Sequence, residues 1–127
     1  MVPVERLVTT ADVDDTAPDD GRVSVRARHE AVFADSSRLL LLDDRGWGST
    51  AAWTAVSAED VAETTRVVVG PDEPAEGSTW EESVAGHWAY LARILQGHGV
   101  GVGAEELRRL RHDVVLGGRL LARIGQR

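Results

Sequence analysis

A chain of 127 residues with 43% hydrophobic and 28% charged side chains has the size and apolar content of one domain with a single core. Its formal net charge of −7 argues against general nucleic-acid binding, which needs basic patches to neutralise phosphates. The absence of cysteine removes disulfides, thiolate nucleophiles and cysteine metal sites, and nothing points to an oxidising compartment.

There is no lysine, so all 14 basic side chains are arginines, and every cationic contact is planar and fork-shaped. The start, "MVPVERLVTTADVDD", has neither a basic n-region nor an apolar h-region. No apolar run approaches the roughly 20 residues that span a bilayer. These features lead to the expectation of a cytoplasmic protein with no membrane contact.

Residues 1–22 are an acidic segment expected to be partly mobile. Val4–Thr9 can form a short strand, and "DVDDTAPDDG" (12–21) combines turn residues with like charges, as a loop does. In "VSVRARHEAVF", Val23, Val25, Ala27, His29, Ala31 and Phe33 alternate with Ser24, Arg26, Arg28 and Glu30, which predicts a strand with one buried face. Asp35–Arg38 is turn chemistry, so Leu39–Asp43 becomes the returning strand of a 23–43 hairpin. A two-residue loop at Ser36-Ser37 would pair Phe33 with Leu40, Ala31 with Leu42, and His29 with Asp44. "DDRGWG" (43–48) is then read as a turn in which Gly46 and Gly48 permit positive φ around Trp47.

Ser57 with Asp60 forms an approximate capping box, opening a short helix over 58–65. Val67–Val69 is β-branched and predicts a third strand, stopped by Gly70-Pro71. Ser78 with Glu81 is expected to cap a helix over 79–97, and Trp80, Val84, Trp88, Leu91 and Leu95 make its apolar stripe. A short helix follows from Ala104 to about Leu110. Asp113 can cap a final helix with Leu116, Leu120 and Ile124 inward, although "DVVL" (113–116) also reads as strand. Strands first and helices later predict an α+β domain over 1–127: a small antiparallel sheet built on the 23–43 hairpin, with two to four helices packed on one face.

Chemistry is sparse. A histidine on an apolar strand face, with Asp44 opposite, would be an imidazole oriented by a carboxylate, as a general base requires. Against this stands a semi-buried histidine with an ordinary hydrogen bond. His87, His98 and His112 match no close metal-ligand spacing. "GHGVGVG" (97–103) follows a helix and lacks the dinucleotide-binding glycine spacing, so it reads as a connector. No nucleophile motif is evident, and no catalytic residue, cofactor or metal is assigned. His29, Asp44, Arg45, Trp47 and Trp53 are the candidates for a ligand or partner site, with the two tryptophans also able to serve as core cover. Residues 57–82 carry eight acids and one arginine, whereas 104–127 are net basic. That asymmetry suits a homo-oligomer, a homodimer in the first instance, or docking on a basic protein. The first expectation is therefore a non-catalytic interaction or accessory module that self-associates. The alternative is a small-molecule-binding protein or enzyme, with a pocket at the open end of the hairpin around His29, Asp44, Arg45 and Trp47.

Overall fold

The computed structural model describes residues 2–16 and 20–124. Three consecutive strands, β1 (Val4–Val13), β2 (Arg22–Phe33) and β3 (Arg38–Ala52), are followed by a 3₁₀ turn at Trp53–Ala55. Helices α1 (Ala58–Val68), α2 (Trp80–Gly97) and α3 (Ala104–Arg108) come next, then strand β4 (Arg111–Leu116) and helix α4 (Gly118–Arg123). The sheet order is β3-β2-β1-β4. The class is α+β, with helices mostly C-terminal and packed on one face. The sheet is mixed rather than purely antiparallel: β1 and β2 are antiparallel, as are β2 and β3, but β4 runs parallel to β1. A parallel neighbour needs a long connection, and the three helices between β3 and β4 supply it.

The acidic start is more ordered than its composition suggests. Leu7, Thr9 and Ala11 are wholly buried, so Val4–Val13 is a central strand and not a short one with a loose tail. Residues 17–19 of the expected mobile loop lie outside the described residues.

Alternation in β2 is as read from Val23 to His29: Val23, Val25, Ala27 and His29 are buried between more exposed neighbours, but from Glu30 to Phe33 every residue is buried. The hairpin register differs. Phe33 N–H donates to the Ser37 carbonyl at 2.9 Å, enclosing a loop over 34–36. Ser36 takes a left-handed φ of 71°, and the Asp35 carboxylate accepts from the Ser37 amide at 3.0 Å. This longer loop places Val32 opposite Arg38 and Ala31 opposite Leu39. The irregularity around Leu41 then returns Leu42 inward, opposite His29. The predicted pairings of Phe33 with Leu40, Ala31 with Leu42 and His29 with Asp44 are all replaced.

"DDRGWG" is not a turn. β3 continues through it to Ala52, and Gly46 and Gly48 are absent from the positive-φ residues. Gly46 is required by a close approach instead, because a Cβ there would meet the Val25 carbonyl oxygen at 2.9 Å.

The helices follow their local signals, with shifts. Ser57 and Asp60 form the capping box of α1. The box of α2 is Thr79 with Glu82, one residue later than predicted. The predicted strand at Val67–Val69 is the end of α1: Val61, Thr65 and Val69 recur every fourth residue and are buried, so helical periodicity outweighs β-branching. Arg111–Leu116 is strand, and only Leu120 and Ile124 belong to a helical end beyond it. Trp80, assigned to the inward stripe, is 53% exposed at the start of α2.

Two apolar clusters cover the inner face. One gathers Leu7, Ala31, Phe33, Leu41 and Leu42 with Leu91, Leu95 and Leu107. The other gathers Ala11, Val23 and Val25 with Trp53, Val61, Leu120 and Ile124.

Candidate functional site

Between the two clusters the sheet carries a polar belt. Thr9 follows Leu7 and precedes Ala11 on the inward face of β1, and it sits opposite His29 of β2. His112 comes from β4, beside Leu7. Thr9 Oγ1 lies 2.7 Å from His29 Nδ1 and 2.7 Å from His112 Nε2. The hydroxyl has one proton, so it donates to one imidazole and accepts an N–H from the other. The two rings stand edge to face, with centroids 5.0 Å apart.

Burial pushes the His29 imidazole down to about 3, reinforced by His112, His87 and Arg45. Burial likewise pushes His112 down to about 4, with Arg66 adding to the effect and Asp113 opposing it. His87, also partly buried, is lowered by desolvation. Both bridged imidazoles are therefore neutral near pH 7, the state in which one hydroxyl satisfies both. Among the described residues no buried side-chain nitrogen or oxygen lacks a hydrogen-bond partner. No group of three or more metal-ligating side chains is assembled among them either.

The sequence candidates are distributed around this belt, not gathered in an open pocket. His29 is 2% exposed. Arg45 lies on β3 opposite Ala27 and ties the strand to the helix layer: its Nη1 donates to the Val68 carbonyl at 3.1 Å and to Asp72 Oδ1 at 2.9 Å. Asp44, with its side chain 79% exposed, reaches only Arg45 among the described residues, at 3.8 Å. Trp47 donates its Nε1–H to Thr65 Oγ1 at 3.1 Å and packs against the second cluster, while Trp53 is buried within it. The imidazole–carboxylate meeting of His29 with Asp44 does not occur, because the register gives His29 a leucine opposite.

Two residues of the belt escaped sequence reading. Thr9 had a faint signal, a hydroxyl at an alternate position between Leu7 and Ala11. His112 had none, since its bond to Thr9 spans 103 residues through a parallel strand pair.

The opposite face of the sheet is charged. Across one row lie Arg111, Arg6, Val32 and Arg38, and across the next lie Asp113, Val8, Glu30 and Leu40. Arg6 and Arg111 clamp Asp113 at 2.9 and 2.8 Å, and Arg28 and Arg38 clamp Glu30 at 3.4 and 3.3 Å. The carboxylates are recessed, with side chains 24% and 11% exposed. The guanidinium groups stand above them: Arg111 is 77% exposed and Arg28 58%. Each clamp carries two positive charges against one negative. On the helical side, Glu59, Asp60, Glu63, Asp72, Glu73, Glu76, Glu81 and Glu82 are all exposed.

A separate groove of about 660 Å³ runs between the 3₁₀ turn and α4, lined by Thr54, Val56, Leu121 and Ile124 among others. Its one carboxylate, Asp60, is committed to the cap of α1. Among the described residues no helix is long and apolar enough to cross a membrane. Comparison with family models, with curated proteins and with solved structures gives no match.

Proposed function

We propose that this chain is a non-catalytic interaction module that self-associates. The observation that carries the reading is the separation of charge: arginines raised above recessed carboxylates on one face of the sheet, and exposed acids along the helix layer. Opposite faces of opposite sign favour contact between copies, and they do so through screened, exposed charges. A weak, salt-sensitive association is the expected form. The cytoplasm, where a cysteine-free acidic module needs no disulfide, is the proposed setting.

The catalytic alternative has less support. A general base must reach the proton it abstracts, and His29 is nearly inaccessible with its Nδ1 already engaged by Thr9. Arg45 and Trp47 are likewise committed to internal partners.

Sedimentation equilibrium over a range of protein concentrations tests the proposal. At low ionic strength the weight-average mass should rise above 13.7 kDa with concentration, and about 0.5 M salt should return it toward that value. A mass that stays at the monomer value at every concentration in low salt would overturn the reading.

A further inference from the structure

Resting on that reading, we infer that the arginine-bearing face of the sheet receives the acidic segment around residues 73–81 of a second copy, in a head-to-tail contact. Four facts lead there. First, no helix of the described residues packs on the face, and guanidiniums stand clear of it: Arg28 and Arg111 have side chains 58% and 77% exposed, above carboxylates that are already shared. Arginine presents planar donor pairs, and a shared carboxylate leaves donors over for a second one. Second, Val115 is 49% exposed on the same face, beside Thr10 in the row that Arg28 completes. The face therefore offers apolar surface among its charges.

Third, the stretch from the end of α1 into the first turn of α2 has the complementary composition. Glu73, Glu76 and Glu81 are exposed and make no ion pair among the described residues, whereas Asp72 is held by Arg45 and Glu82 by the α2 cap. Fourth, Trp80 stands among these acids with half its surface in solvent, at the first position of α2. An exposed indole flanked by carboxylates is suited to stack on a guanidinium while the carboxylates take its N–H groups. The acidic segment and the basic face lie on different surfaces of one chain, so the contact is heterologous and each copy keeps one free end. A nucleic acid would find the same arginines, and either occupant meets the protein's net charge of −7 at long range; beyond a Debye length of about 8 Å that repulsion is screened, and the acidic segment adds to its local charge the exposed Trp80 indole.

The test uses two variants of the full chain. R28Q/R111Q weakens the face, removing two charges while keeping polar side chains and leaving both recessed carboxylates one arginine each. E73Q/E76Q/E81Q neutralises the segment and spares the cap. Circular dichroism melts confirm that each folds. Each variant alone should lose self-association by at least about tenfold in Kd, and an equimolar mixture should recover it but stop at a one-to-one pair, because only one intact contact remains. If the wild type associates and either variant does so as strongly, or if the mixture fails to recover, the assignment of these two surfaces is overturned while self-association stands. A wild type that remains monomeric removes both. Duplex DNA is expected not to bind at the same ionic strength, and tight binding abolished by R28Q/R111Q would give the face to a different partner and overturn the inference.

Discussion

His29 is held neutral by its surroundings: burial first, then the His112 and His87 rings and the Arg45 guanidinium, all of which disfavour a second proton. An unfolded histidine takes that proton near pH 6.5. The folded value is the lower one, so the unfolded chain binds more protons between pH 6.5 and about 3. The stabilising contribution is complete above pH 6.5 and is lost progressively as the pH falls toward 3. His29 alone should give a slope of up to about 1.4 kcal/mol per pH unit over that range. His112 adds in the same direction above pH 4, reduced by its partial solvation. Urea titrations at stepped pH between 7 and 4.5 would measure the slope, and His29→Leu should flatten it. An unchanged slope in that variant would show that the buried imidazole is not its source. Thr9 is the residue that makes two neutral imidazoles tolerable, and its role was hidden because a threonine on a strand is ordinary until the partners across the sheet are known.

At the level of elements, the glycines separate two kinds of need. Gly86 lies inside α2 with open space where a Cβ would stand, so Gly86→Ala should stabilise the protein by roughly 0.5–1 kcal/mol. Gly46 lies in β3 with the Val25 carbonyl against it, so Gly46→Ala should destabilise by roughly 1–3 kcal/mol. Thermal melts of the two variants should therefore shift in opposite directions, and a shift of the same sign would contradict one of the two local geometries. The start of α1 was legible because its signal is local, Ser57 and Asp60 being three residues apart, whereas its end was not: the β-branched run Val67–Val69 reads as a strand and masks the helical repeat of Val61, Thr65 and Val69. The hairpin was legible as a hairpin, yet its register was not. Register depended on Ser36 adopting a left-handed conformation that favours glycine, and on a bulge at Leu41 that no residue type announces.

Across the whole molecule, the two apolar clusters share one sheet, with β1 and β2 contributing Leu7, Ala31 and Phe33 to one and Ala11, Val23 and Val25 to the other. Strands that run through both should make them unfold together. Leu91→Ala in the first and Leu120→Ala in the second should each cost about 2–5 kcal/mol, with a single transition seen alike by far-ultraviolet circular dichroism and tryptophan fluorescence. Separated transitions in either variant would show that the belt of Thr9, His29 and His112 divides the molecule into independent halves.

What the amino-acid order determined by itself was whatever depends on neighbours a few residues away: the α+β class, the buried alternation of Val23–His29, the cap of α1 and the acidic stretch at 57–82. What only the tertiary structure decided was which distant residues share a surface. The parallel placement of β4 beside β1 brings His112 to Thr9, and the pairing of four strands side by side gathers Arg6, Arg28, Arg38 and Arg111 around two carboxylates. Periodicity along a chain reports which side of an element is apolar. It carries no record of which element lies next to it, because strand pairing is made by backbone hydrogen bonds that every sequence offers alike.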